Sequence, residues 1–316
     1  KPAEEAVPLA GGDVMPVIVS GSPLGSLSLA STLIRADWSI SVTAASVAAI
    51  GARGQETQGA APNGAGAPNG AGTSSDVDPK VQGPFLILST PFTASGEVDY
   101  EALAKEARYV DWCGCPGMIW PQSGDSVDLL TTEEKMKGME VLAKATGSTT
   151  ALCLGVQGKD TEEMLMYARH VETLAPPAII SRPPDTGKTQ EDMRQYWHAL
   201  AAVAKRPVIL QTTGGVSYKG PAPSVELLVE LGREFPNFGY VKEEAGSVIN
   251  RVVALVAAKP AIRCVMGARG GYGWLHELRL GAEGLITERA VYADLLTRVW
   301  NLHCGGDDPA ALHDAY

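Results

Sequence analysis

The residues of this chain best placed to do chemistry are polar groups that stand directly after short apolar runs. In chain order they are Ser89-Thr90, Pro121-Gln122-Ser123-Gly124-Asp125, Arg182-Pro183-Pro184-Asp185, Gln211-Thr212-Thr213-Gly214-Gly215, Lys242, Gly267-Ala268-Arg269-Gly270-Gly271 and Thr287. Lys242 stands out among them. It closes the apolar run Phe238-Gly239-Tyr240-Val241, where an unpaired ammonium would be expensive to bury. Desolvation favours the neutral form of an amine, and a neutral amine can attack a carbonyl. An imine formed with a 2-oxo acid then acts as an electron sink for a neighbouring carbanion. The plain alternative is a structural lysine paired with Glu243 or Glu244. Gln122, Ser123 and Gly124 form a polar, glycine-containing turn whose hydroxyl and backbone N–H groups suit a carboxylate, although ordinary turn chemistry would look the same. Gly214-Gly215 and Gly270-Gly271 allow positive φ or close backbone approach, and serve equally as simple turns. Arg269 could bind an anion or lie on the surface.

A metal centre is not expected. His170, His198, His276, His303 and His313 fall in predicted helices or in the tail, without ligand spacing. Cys113-Gly114-Cys115 is too tight for an ordinary zinc pair, and the five cysteines suggest no disulfide framework.

The elements that must position these residues follow a strict alternation. Apolar runs begin at Phe85, Gly117, Thr150, Ala178, Pro207, Phe238, Ile262 and Gly284, and each is followed by a helical pattern. The expected helices cover 100–112, 132–145, 161–174, 190–204, 224–235, 247–258, 272–280 and 290–303. Strands too apolar to alternate predict a parallel sheet covered on both faces, and eight βα units predict a closed (β/α)8 TIM barrel. A doubly wound open sheet is the competing fold. It would normally carry a glycine-rich phosphate fingerprint after its first strand, where this chain has Ser89-Thr90-Pro91-Phe92-Thr93. Barrel active sites stand at the C-terminal strand ends, which is where the polar residues fall.

The barrel is expected over 81–303, with an N-terminal extension at 1–80 and a C-terminal tail at 304–316. Ala61-Pro62-Asn63-Gly64-Ala65-Gly66 is repeated at once as residues 67–72, the pattern of a flexible linker. Ile40–Ala52 resembles the apolar stretch of an export signal, though it lies far into the chain; the cytoplasm is the favoured location, and export is the alternative. No run reaches the roughly 18 apolar residues of a membrane span. A net charge of -10 argues against nucleic acid as a partner.

Four stretches in order resemble the dihydrodipicolinate synthase/N-acetylneuraminate lyase family. They are Ser89-Thr90-Pro91-Phe92 with Gly96-Glu97-Val98-Asp99, Gly124-Asp125 with Leu130-Thr131-Thr132-Glu133-Glu134, Pro207-Val208-Ile209-Leu210, and Val241-Lys242-Glu243. The resemblance covers about 83–299. It implies a barrel-type class I aldolase, a homo-oligomer (dimer or tetramer), that needs no cofactor because Lys242 itself forms a Schiff base with pyruvate or a related 2-oxo acid. It places Gln122 and Ser123 where two hydroxyl residues of the family hold the pyruvate carboxylate.

This chain departs from the family pattern in several places. Gln211 replaces the relay tyrosine of strand five, and an amide cannot supply a titrating proton. The second tyrosine is absent from Arg182-Pro183-Pro184-Asp185, Val216 aligns with the arginine that binds the aldehyde substrate, and much of the family's C-terminal helical region is missing. The expected catalytic residues are Lys242 and Gln211. The expected substrate-binding residues are Thr90, Gln122, Ser123, Gly124, Thr212 and Gly267, with water, Thr212 or substrate hydroxyls moving protons. The expected function is C–C cleavage, condensation or dehydration of a 2-oxo acid. The alternatives are an impaired barrel acting as a 2-oxo-acid binding or regulatory protein, and an authentic 4-hydroxy-tetrahydrodipicolinate synthase.

Overall fold

The computed structural model describes residues 78–306, apart from residues 79, 148 and 289. The expected export segment Ile40–Ala52 and nearly all of the expected extension and tail lie outside the described residues. Eight strands, β1 (Gly83–Ile87), β2 (Gly117–Trp120), β3 (Ala151–Gly155), β4 (Ala178–Ser181), β5 (Val208–Gln211), β6 (Tyr240–Lys242), β7 (Cys264–Gly267) and β8 (Gly284–Thr287), close into a parallel barrel in sequence order. The helices between and after them are α1 (Tyr100–Trp112), α2 (Thr132–Ala145), α3 (Thr161–Leu174), α4 (Gln190–Ala201), α5 (Val225–Glu234), α6 (Val248–Val256), α7 (Trp274–Arg279) and α8 (Ala293–Gly305).

Every strand residue is buried, so the faces are told apart by the two-residue period rather than by polarity. Phe85, Ile119, Cys153, Ile180, Ile209 and Tyr240 meet inside the barrel. Their neighbours Leu86, Met118, Leu154, Ile179, Leu210 and Val241 pack outward against the helices. Counting on by two from Ile180, Ile209 and Tyr240 brings Arg182, Gln211 and Lys242 to the interior at the C-terminal mouth. Gln211 and Lys242 are direct cross-strand partners.

The helix starts follow from local hydrogen bonding. Asp99, Asp160 and Ser224 cap α1, α3 and α5 through their side chains, while Thr131 with Glu134 and Thr189 with Asp192 close capping boxes on α2 and α4. Trp120, fully buried, lies against Gly138 of α2 and donates its Nε1–H to Thr90 Oγ1 at 3.0 Å, tying wall, helix and mouth loop together. Several helix boundaries differ from expectation by one to three residues: α5 covers Val225–Glu234, α6 ends at Val256, and α8 starts at Ala293 after a 3-10 turn at Ala290–Tyr292. The helix after β4 ends at Ala201 instead of 204. The helix after β7 spans only Trp274–Arg279, since Gly273 (φ -107, ψ 6) leaves the helical region, and a separate 3-10 turn covers Arg269–Gly271, where Gly270 and Gly271 take positive φ. No helix among the described residues is long and apolar enough to cross a membrane.

Candidate active site

Lys242 ends β6 inside the mouth and is 4% exposed. Among the described residues, two groups stand within reach of its Nζ: Gln211 Oε1 at 3.5 Å and a Glu244 carboxylate oxygen at 3.4 Å. The same Glu244 oxygen accepts from Thr213 Oγ1. Gln211 in turn donates its Nε2 to the Thr213 carbonyl at 2.9 Å and to Thr213 Oγ1 at 3.1 Å. Lysine, glutamine, threonine and glutamate thus form a closed ring around one amine.

The two adjacent acids after Lys242 part company. Glu243 is fully buried on the helix side, where it pairs with Arg251 of α6 at 3.0 Å and accepts from Thr212 Oγ1 at 3.0 Å and from Ala245 N–H at 2.8 Å. Glu244 turns back to the amine. Its backbone is held from both sides, its N–H donating to Thr212 Oγ1 at 2.9 Å and its carbonyl accepting from Arg269 Nη2 at 2.7 Å. Of the two acids proposed as ion-pair partners from sequence, Glu244 is the one in contact.

A second cluster stands at the ends of β2, β3 and β4. Arg182, 3% exposed, donates from Nη1 to Ser123 Oγ at 2.8 Å and from Nη2 to the Asp128 carboxylate. Asp185 lies 3.9 Å from it, and burial pushes that carboxyl upward while Arg182 opposes the shift. Gly215 lies directly beneath the guanidinium: a Cβ there would lie 2.2 Å from Arg182 Nη2, so any side chain would push the guanidinium out of this position. Gln122 is fully buried. Its Oε1 accepts from Gln157 Nε2 at 2.9 Å and from Ser123 N–H at 2.6 Å, while Gln122 Nε2 and Gln157 Oε1 have no hydrogen-bond partner among the described residues.

The remaining expected residues are engaged elsewhere. Thr90 binds Asp125 through its hydroxyl and, at 2.9 Å, through its backbone N–H, which ties the β1 and β2 loops together; burial raises the Asp125 carboxyl. Gly124 has φ +97 in the β2 turn, a conformation suited to glycine. Thr212 does not face the amine: its hydroxyl bonds the Lys242 carbonyl at 3.2 Å as well as Glu243, so the next residue, Thr213, takes the place expected of it. Gly267 also faces the helix layer, where a Cβ would lie 1.7 Å from Glu277 Oε2. Glu277 is 4% exposed, with that oxygen unpartnered among the described residues, and burial raises its carboxyl to about 7. The period of two explains these placements, because Lys242, Gln211 and Arg182 alternate inward while Thr212 and Gly267 alternate outward. Gln157 was not named from sequence, and Arg182, Thr213 and Glu244 stood only among the strand-end groups or ion-pair partners, without a catalytic or substrate-binding role. The available signal was an arginine one residue beyond a strand end whose inner face is marked by Ile180.

A closed parallel barrel with a buried lysine ringed by hydrogen-bonding groups at its C-terminal mouth defines the class: a (β/α)8 protein with an amine-centred site. The sequence profile of the Dihydrodipicolinate synthetase family matches residues 80–312, and the chain belongs to that family. It is 26% identical over 211 residues to a 4-hydroxy-tetrahydrodipicolinate synthase of Chlorobaculum parvum, covering 66% of this chain and 70% of the relative. The fold matches the dihydrodipicolinate synthase of Aquifex aeolicus with a TM-score of 0.68 at 23% identity, over 74% of this chain and 78% of that one. YagE, an Escherichia coli prophage protein of the same family crystallised with pyruvate, matches with a TM-score of 0.68 at 19% identity, over 74% and 79% of the two chains.

Proposed function

We propose that this protein is a lyase of the class I aldolase type, in which Lys242 forms an imine with pyruvate or a related 2-oxo acid. The carrying observation is the burial of the Lys242 amine inside the barrel mouth, with a carboxylate at 3.4 Å and an amide oxygen at 3.5 Å. Nζ attacks C2 of the oxo acid, water leaves, and the protonated imine draws electrons from the bond to C3. Breaking or forming a C3–C4 bond gives cleavage or condensation, and loss of a proton from C3 gives an enamine that can expel hydroxide from C4, which is dehydration. The mouth turn Gln122-Ser123-Gly124 holds the substrate carboxylate. Ser123 is held there by Arg182, whose positive charge favours an anion in the same place. Gln211 orients the amine and hydrogen-bonds the carbinolamine, a role that needs no titration. Membership of the family and the pyruvate complex of YagE support this reading, which includes assembly into a homo-oligomer and no added cofactor.

A binding-only barrel is the second reading, favoured by the Lys242–Glu244 ion pair, which would also neutralise a structural lysine. Borohydride reduction in the presence of a panel of 2-oxo acids separates the two. The lyase reading expects the intact protein to gain the mass of one reduced oxo acid. Absence of any adduct across the panel favours the binding-only barrel.

A further inference from the structure

Gln211 leaves the amine without the titrating neighbour that imine chemistry needs, and the structure supplies one of its own on the adjacent loop. We infer that Glu244 is the catalytic acid–base of this site, moving protons on and off the substrate at Lys242; the inference rests on the imine reading above.

Several observations support it. Its carboxylate oxygen lies 3.4 Å from Lys242 Nζ, slightly beyond the roughly 2.6–3.2 Å of a direct transfer and a separation of the kind that tightens when substrate binds. Of the two groups described around the amine, the glutamine amide cannot give up a proton at working pH, whereas a carboxyl can. The carboxylate is anchored by the Thr213 hydroxyl, itself held by Gln211, so its oxygen is aimed and not free to swing. Its main chain is fixed by Thr212 on one side and by Arg269 on the other. The side chain is 16% exposed while that of Lys242 is 5% exposed, so Glu244 spans the boundary between solvent and the buried nitrogen. Glu243, the adjacent acid, is committed to Arg251 and Thr212 and cannot substitute. Thr212 and Arg269 are positioning residues in this account, acting through the Glu244 backbone.

The proton balance closes without any further reactant. The Lys242 ammonium passes a proton to the Glu244 carboxylate, giving amine and carboxylic acid. The nitrogen lone pair forms the bond to C2, and the carbonyl oxygen takes the proton from Glu244. The nitrogen then returns a second proton to Glu244, which delivers it to the new hydroxyl. Water leaves as the C–N π bond forms. Both protons taken up by the departing oxygen come from the ammonium, and Glu244 ends as carboxylate. It next removes a proton from C3. The C–H pair becomes the C2–C3 double bond, the iminium π pair returns to nitrogen, and an enamine results. Reversal in heavy water places deuterium on C3.

That reversal gives a test that needs no knowledge of the second substrate: loss of the pyruvate methyl proton signal in heavy water, followed by NMR, alongside borohydride trapping. The wild-type protein is expected to trap pyruvate and to exchange its methyl protons. Glu244→Gln, which keeps shape and the bond from Thr213, is expected to retain trapping at long incubation and to lose exchange by about 10²- to 10⁴-fold, the usual contribution of a general acid–base. In Glu244→Ala, added formate is expected to restore exchange in a saturable way, which a residue with only a structural role would not permit. Exchange by Glu244→Gln within tenfold of wild type would overturn the inference while leaving the imine intact, as would failure of formate to act on a folded Glu244→Ala that still traps pyruvate. Absence of trapping and exchange in the wild-type protein would remove the imine reading and this inference with it.

Discussion

Replacing Glu277 by glutamine should change the pH dependence of stability in a direction fixed by the structure. Glu277 reaches from α7 to the backbone of β7, is 4% exposed, and presents Oε2 to Gly267 with no hydrogen-bond partner. Burial raises its carboxyl from 4.5 to about 7, Arg269 opposing the shift and Glu243 adding to it. An acid whose folded value is raised binds its proton more tightly in the native state. Its contribution is therefore complete below about 4.5 and is lost as pH rises from there through about 7. A rise from 4.5 to about 7 corresponds to about 3.5 kcal/mol at most, at about 1.4 kcal/mol per pH unit. Glutamine carries no charge at either extreme, so any fixed cost of fitting its amide against Gly267 is the same at pH 4.5 and pH 8. The difference between wild type and Glu277→Gln, measured by denaturant unfolding at both values, should move in favour of the variant by about 2–3 kcal/mol at the higher pH. For a domain of this size that amounts to roughly 2–4 °C in Tm per kcal/mol. A difference that is the same at both pH values would refute the reasoning.

Further outcomes concern the mouth itself. Lys242→Met alone should destabilise the fold by about 1–3 kcal/mol, below the usual cost of breaking a fully buried pair because Glu244 retains some exposure; adding Glu244→Gln should recover that loss or exceed wild type, as thermal melts would show. Arg182→Gln should raise the KM for a 2-oxo acid at least tenfold through loss of the charge that holds Ser123, with a smaller change in kcat, measured by steady-state kinetics or by pyruvate exchange.

The barrel was legible in the sequence because its strands are continuous apolar runs, each followed by a helical pattern; on five of the eight helices a side-chain cap also marks the start, as Thr131 with Glu134 does on α2. Lys242 and Gln211 were legible for a related reason, since each is polar where an apolar run ends, and they prove to be cross-strand partners. Distinctions of a single residue were not. Thr212 and Thr213 are identical in type, and only the strand period and the bond from Thr212 to Lys242 O decide which faces the amine. Glu243 and Glu244 pose the same difficulty in a loop, where hydrogen bonds from Thr212, Arg251 and Arg269 set the direction of each acid. Those partners lie 8 to 32 positions away, beyond the range of local pattern. Arg182 was visible as a strand-end residue, but its inward direction depends on β4 continuing through Ser181, one residue further than the apolar run.

The most direct test of the account is to reduce the protein with borohydride in the presence of pyruvate and map the modified residue by peptide mass spectrometry. The account predicts a single reduced pyruvate adduct on Lys242, absent from Lys242→Arg. An adduct on another lysine, or none under conditions that label a pyruvate-binding member of the same family, would contradict it.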